Sequence, residues 1–247
     1  MELMTVEEFK TYIAGYKFTR KIKKVQLHHT YSPSYKNFNG SNHIKLQQNM
    51  RNYHVNTNGW NDIGQHFTIF PDGMIVTGRP LSKNPAGIYG ANSGAICIEC
   101  LGNFDFGGDV MNDSQKDAIV ATVKVLIDKC GLDVYNDVVY HAWYGLDGRF
   151  LGDYYKGSSS KTCPGNNFFG GNSLTAYIDN LLPLIENYGK PEKAMVESGN
   201  DIDYALKWKY GITFDSEENE KEFIKLLDEE RQKKSKLYWV FHKLANK

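Results

Sequence analysis

No apolar run in the chain approaches the roughly 20 residues needed to cross a bilayer, so no membrane-inserted helix is expected. Charge of one sign is missing too. Lys+Arg and Asp+Glu both number 29, which removes the electrostatic footprint of a nucleic-acid binder. Cysteine is scarce: Cys97, Cys100, Cys130 and Cys163 are too few to staple a chain of 247 residues. The opening segment, MELMTVEEFKTYIAGYKFTRKIKK, is acidic and amphipathic and lacks the apolar stretch of a signal peptide, so synthesis in the cytoplasm is expected. There is no internal repeat and no low-complexity tract. With 41% hydrophobic and 23% charged residues the chain can bury a real core. Its 16 tyrosines suit a protein that handles sugars or peptides.

The periodicities predict an α/β fold, with a mixed central β-sheet flanked by helices and a small helical C-terminal module. TVEEFKTYIAGY reads as an amphipathic helix capped by Thr5, with Glu8 three residues on. KVQLHHT alternates as a strand, with Val25 and Leu27 on one face and Gln26 and His28 on the other. SNHIKLQQNMRNYHV has helical spacing and starts at Ser41 or Asn42. QHFTIF and MIVTGR, joined by PDG, read as a hairpin. GAICIECLG is a near-continuous apolar run, as in a central strand covered on both faces. NDSQKDAIVATVKVLIDKCG is the clearest helix, with Gly131 as its stop. DVVYH follows as a strand, then a polar, glycine-rich loop over about 145–171, then the helical SLTAYIDNLLPLIENY. A sheet of four to six strands is expected. Composition shifts near YGKPEKAMVESGN, which places a boundary between residues 1–189 and a module at 190–247. DIDYALKWKY and a long charged helix from about Ser216 would build that module.

GSSSKTCPG has loop composition, so Cys163 is a chance thiol, a disulfide half, a nucleophile or a metal ligand. His28 ends the first strand and His141 ends DVVYH, at the same sheet edge. Two imidazoles and a thiolate would make a three-ligand zinc set with a fourth position left for water. No H-x-x-x-H or C-x-x-C pair of suitable geometry supports it, and spacing alone leaves the question open. Cys97 and Cys100 stand three apart in a strand and so face opposite ways, which reads, with Cys130, as core thiols. His43 and His242 read as surface residues.

VQLHHTYS, GWNDIGQHFTIFPDG, GRP, AICIECLGNF, a histidine ending a strand, and KTCPG follow one another in order from Val25 to Pro164. Together they resemble the zinc-dependent N-acetylmuramoyl-L-alanine amidases of the type-2 amidase and peptidoglycan-recognition-protein family, and the whole chain looks like a phage endolysin or autolysin. The resemblance implies that His28, His141 and Cys163 hold one zinc ion. It places the first ligand on His28 rather than His29, and strand parity agrees, since His29 shares the face of Val25 and Leu27. Glu99, a carboxylate in an apolar strand, matches a catalytic position; the alternative is a buried structural pair. Lys161 matches a lysine that lies over the scissile carbonyl, or is a solvated loop lysine. Some members carry tyrosine where this chain has Gln65, and those lack the strand glutamate; the glutamate variant of the mechanism is expected here. His54 and His66 are expected in a structural or substrate-wall role, Gln65 and Asn92 in the substrate wall, and the glycines, asparagines and tyrosines of 143–171 in one wall of a groove.

The implied reaction is cleavage of the amide between N-acetylmuramic acid and the L-alanine of the stem peptide, so the expected partner is peptidoglycan, with no nucleic acid and no membrane insertion. An enzyme of this kind would reach the cell wall after holin-type release or lysis. The C-terminal module would bind the wall, self-associate or pack on the catalytic domain. The alternatives are a peptidoglycan-binding protein of the same fold that does not cut, and a structural zinc site, which would want four closed ligands.

Overall fold

The structure, a computed structural model, describes residues 1–190 and Lys225 of the chain. Of the expected C-terminal module only Lys190 and Lys225 fall among them; its two helices and His242 lie outside the described residues.

Six strands form one sheet: β1 (Leu3–Met4), β2 (Lys24–His29), β3 (Phe67–Ile69), β4 (Ile75–Thr77), β5 (Ala95–Cys100) and β6 (Val138–Tyr140). Their order is β1-β4-β3-β5-β2-β6. The β3–β4 hairpin and the short β1 run antiparallel, while β3, β5, β2 and β6 are parallel neighbours. The sheet is therefore mixed, as expected, and AICIEC is its central strand. β1 has no periodic signal because two residues are too few to show one.

Helices α1 (Val6–Gly15), α3 (Asp113–Cys130), the short α4 (Val134–Asp137) and α6 (Leu182–Asn187) share one face of the sheet with the main core. α1 begins where Thr5 Oγ1 accepts from Glu8 N–H at 3.3 Å and Glu8 Oε2 accepts from Thr5 N–H at 2.7 Å, the reciprocal cap read from the sequence. Phe9 of α1 meets Phe67 edge-on, with centroids 5.0 Å apart. α3 starts at Asn112, whose side chain accepts from Gln115 N–H, and stops at Gly131, whose φ of 62° is left-handed and cheap only for glycine. The final helical stretch, α5 (Leu174–Ala176) through α6, widens to a π turn over Tyr177–Leu181. Pro183, in the first turn of α6, has no N–H for the regular ladder.

α2 (His43–Asn56) covers the other face. The alternation of β3 shows it: Phe67 and Ile69 join the main core, whereas Thr68 donates to Gln47 of α2 at 2.7 Å. The same parity puts Val25 and Leu27 of β2, and Ile96, Ile98 and Cys100 of β5, in the main core. Gln26, His28, Cys97 and Glu99 are thereby left on the α2 face. Parity also separates Cys97 from Cys100, both buried, while Cys130 is half-buried against the core. No helix among the described residues is long and apolar enough to cross a membrane.

His43 is not a surface residue. It is buried, its Nε2 lies 2.7 Å from Asp72 Oδ2, and it stacks against Phe38 and Phe70. The pairing spans 29 positions, so nothing local in the sequence announces it.

Candidate metal centre

The parallel strands β5, β2 and β6 end at one sheet edge, where open α/β sheets place their ligands. His28 comes from the end of β2 and His141 from the residue after β6. Cys163 comes from the loop, which is tied to the same edge by Ala142 N–H donating to its carbonyl at 2.7 Å. Asn172 holds that loop from behind: its Nδ2 donates to Thr162 O, and its own carbonyl accepts from Trp143 Nε1, both at 2.8 Å.

His28 Nδ1 lies 3.3 Å from His141 Nδ1 and 3.4 Å from Cys163 Sγ, and the three donor atoms all fall within 4.8 Å of one another. These lengths test the fit to a metal. Tetrahedral zinc with Zn–N of about 2.0–2.1 Å and Zn–S of about 2.3 Å has N···N edges of about 3.3 Å and N···S edges of about 3.6 Å. The residues fit. The soft donor set favours zinc over calcium or magnesium. Among the described residues this is the one His, Cys and carboxylate cluster of such spacing, and no fourth protein donor joins it.

Burial gives the imidazoles their donor form. It lowers His28 well below the ordinary histidine value, with the neighbouring His141 adding to the effect, and lowers His141 to about 4. Burial pushes the Cys163 thiol up, against a main-chain N–H of His29 that favours the thiolate, so cation binding must release a proton there. His29 itself turns away from the cluster. Its Nδ1 accepts from Phe104 N–H at 3.1 Å, as expected from its parity with Val25 and Leu27.

Glu99 sits beside His28 in register on β5, with Lys161 at the exposed lip of the same cleft. The glutamate as a whole is half-buried, but its Oε2 is enclosed and has no partner. Burial raises its carboxyl to about 8, with the Lys161 ammonium pulling the other way.

The cleft is lined by His28, Glu99, His141, Lys161 and Cys163, with His54, Gln65, Tyr31, Tyr53, Trp60 and Asp105 around them. His54 accepts Gly64 N–H on Nδ1 at 3.1 Å and stacks on Trp60 at 4.7 Å, so its Nε2 carries the proton. Gln65 donates to Thr68 Oγ1 at 3.0 Å, which leaves its Oε1 buried without a partner. The other two expected wall residues are elsewhere. His66 lies between Cys97 N–H and Lys83 O, and Asn92 Oδ1 accepts from Gly87 N–H and Ile88 N–H. Both shape the scaffold and neither lines the cleft. Of the 143–171 segment only Lys161, Thr162 and Cys163 reach it, so the expected tyrosine wall from that segment is absent.

The aromatic wall comes instead from Tyr31 before α2, Tyr53 within it and Trp60 after it, with Tyr31 held at a φ of 58°. Asp105, which accepts from Thr162 Oγ1 at 3.0 Å, also lines the cleft and was not anticipated. GWNDIGQHF carries a visible signal for Trp60; Asp105 has none, because its approach depends on a contact across 57 positions.

The sequence model of the family described as N-acetylmuramoyl-L-alanine amidase matches residues 18–166. The chain is similar to the human protein "N-acetylmuramoyl-L-alanine amidase", 32% identical over 78 residues, covering 32% of this chain and 14% of that protein. It is also similar to Peptidoglycan-recognition protein LB of Drosophila melanogaster, 34% identical over 80 residues, covering 32% of this chain and 34% of that one. The chain thus spans 14% and 34% of the length of these two relatives. The solved structure of wild-type Drosophila PGRP-LB superposes with a TM-score of 0.50 at 25% identity, covering 62% of this chain and 81% of that chain.

Proposed function

The chain belongs to the N-acetylmuramoyl-L-alanine amidase family, and from that membership we propose that it is a zinc-dependent peptidoglycan hydrolase that cuts the amide between N-acetylmuramic acid and the L-alanine of the stem peptide. The observation that carries the reading is the pair of separations from His28 Nδ1 to His141 Nδ1 and to Cys163 Sγ, both close to tetrahedral zinc edges, in a cluster of three protein donors among the described residues. Three donors leave a corner for a reacting water, as catalytic rather than structural zinc sites do.

One zinc ion, when bound, supplies a Lewis acid and brings the pKa of a coordinated water down towards 7. Glu99, beside His28 on β5, would accept a proton from the attacking water on its unpartnered Oε2. It then returns the proton to the departing L-alanine nitrogen, so one residue serves as base and then acid. Burial holds the Glu99 carboxyl at about 8 even with Lys161 nearby, so the charge of the bound zinc ion would be what favours the carboxylate that accepts the proton. Lys161 at the lip stabilises negative charge on the former carbonyl oxygen. Gln65 has no ionisable group and contributes hydrogen bonds alone. Tyr31, Tyr53 and Trp60 offer flat faces to sugar rings or to the stem peptide.

The cellular role we assign is that of an endolysin or autolysin, reaching the wall after holin-type release or lysis, with residues 190–247 as a wall-binding module. The test is incubation with purified cell walls, with and without a chelator, followed by turbidity and by the appearance of new amino termini. Release that stops with the chelator and returns with zinc supports the assignment. Binding to walls without release would make the protein a recognition module instead.

A further inference from the structure

Two buried polar atoms behind the metal centre have no partner, and they point at the same spot. One is His28 Nε2, the ring nitrogen remote from the cluster; the other is Gln26 Oε1. Gln26 precedes His28 by two positions on β2, so both side chains leave the same face of the strand. The orientation of the Gln26 amide is fixed, because its Nε2 donates to Ala91 O at 2.9 Å and an oxygen could not occupy that place.

The space between the two orphans exists because residue 87 is glycine. A Cβ built on Gly87 would lie 2.5 Å from Gln26 Oε1, 3.1 Å from His28 Nε2 and 3.0 Å from Cys97 Sγ. Lying 2.5 and 3.1 Å from one point, the two orphan atoms are at most about 5.6 Å apart. That gap closes by a small ring rotation or by one bridging water. The polarity matches as well. With His28 Nδ1 turned to the metal position, the ring proton resides on Nε2 and needs an acceptor, and Gln26 Oε1 is an acceptor without a donor.

We infer that Gln26 is a positioning residue for the metal centre: it takes the Nε2 proton of His28, directly or through one water held over Gly87, and thereby fixes the ring's tautomer and angle. A ligating histidine almost always gives its second N–H to an acceptor, and losing that partner typically costs 10–100-fold in metal affinity. A carboxamide raises the basicity of the ring less than a carboxylate does, since it carries no charge. The inference rests on the zinc reading above.

The test is zinc affinity, measured on apo-protein by competition with a chromophoric chelator, alongside the absorption spectrum of the cobalt form. Gln26→Leu keeps the size and removes the acceptor; it should bind zinc about 10–100-fold more weakly and alter the cobalt bands. Gln26→Glu restores an acceptor and should bind at least as tightly as the parent protein. Gly87→Ala should weaken binding like the leucine variant, because its methyl displaces the Gln26 oxygen; it serves if Gln26→Leu does not fold. A slowly exchanging Nε2 proton of His28 should appear in the zinc form of the parent and vanish in Gln26→Leu. Parent-like affinity and cobalt bands in both Gln26→Leu and Gly87→Ala would overturn the role of Gln26 and leave the zinc assignment standing. A parent protein that binds no zinc would overturn both.

Discussion

Glu99 and His28 occupy one register position on the adjacent parallel strands β5 and β2, so the carboxylate and the first candidate metal donor leave the sheet side by side on the same face. Neighbouring strands lie about 4.8 Å apart, close enough for a proton acceptor to serve the open corner of the cluster without ligating it. The separation of duties can be measured. Glu99→Gln should lower kcat by about 10²–10⁴ while the zinc affinity stays within a few-fold of the parent. Wall hydrolysis and a zinc titration on the same preparation decide it, and a variant retaining a tenth or more of parental kcat would sink the role.

Lys161 lies on the exposed lip, two residues before Cys163, and makes no hydrogen bond to the scaffold among the described residues. Lys161→Met should therefore reduce kcat by about 10² with little change in KM, as expected for a group that meets charge only in the transition state. Steady-state kinetics on a soluble muropeptide give the split. A rise in KM at constant kcat would instead make it a substrate anchor.

Zinc should stabilise the fold as well as activate it, since the unfolded chain does not hold His28, His141 and Cys163 together. At free zinc one hundred times Kd the gain is about 2.7 kcal/mol, or roughly 5–10 °C in Tm for a unit of this size. Cys163→Ser should remove that increment, because a neutral hydroxyl is a poor donor to zinc. Thermal melts with zinc and with chelator check both statements, and a zinc-insensitive parent would contradict them.

What the sequence made legible was local. The cap at Thr5, the stop at Gly131 and the alternation of KVQLHH each depend on residues within a few positions, and each is found as read. The resemblance placed the first ligand on His28 rather than His29 with strand parity in agreement, and the structure separates the two rings in the same sense. Beyond the His28, His141 and Cys163 set implied by the resemblance, contacts between distant segments were not legible. His43 finds Asp72, His66 finds Lys83 and Cys97, and Asp105 reaches the cleft only because the ligand loop folds over it. A polar side chain in a sequence looks solvated until its partner is known, and these partners lie 17 to 57 positions away.

Gln115 illustrates a non-local dependence with a measurable cost. From the first turn of α3 its Nε2 donates to Ile69 O at 2.8 Å and to Leu101 O at 3.0 Å, and its Oε1 accepts from Tyr35 O–H. The residue is fully buried and ties two strand ends to the helix. Gln115→Leu would leave the Leu101 carbonyl without a partner and take one bond each from Ile69 O, which also accepts Leu101 N–H, and from the Tyr35 hydroxyl, which also accepts Asn112 N–H, at about 1–3 kcal/mol per lost bond before relaxation. Urea denaturation should show a loss of roughly 2–5 kcal/mol; less than 1 kcal/mol would mean that water takes over its bonds.

His66 should make the protein acid-sensitive away from the metal. Its Nδ1 accepts Cys97 N–H at 3.0 Å, so the ring proton must sit on Nε2, where Lys83 O accepts it at 3.0 Å. Protonating Nδ1 would place a charge in the core and break the Cys97 bond. Burial accordingly lowers this histidine from 6.5 to about 4. The sign follows: above pH 6.5 both states are neutral and His66 contributes no pH dependence. Between 6.5 and about 4 only the unfolded chain takes up the proton, so stability falls as pH falls, by at most about 3 kcal/mol. His29 is lowered to about 4 as well and adds to the same acid loss, so the share of His66 must be read by difference. Urea unfolding of the zinc-free parent and of His66→Gln from pH 7.5 to 4.5 provides it: the variant, whatever its stability at pH 7.5, should lose less on acidification. Parallel pH profiles for the two proteins would show that His66 does not carry the penalty.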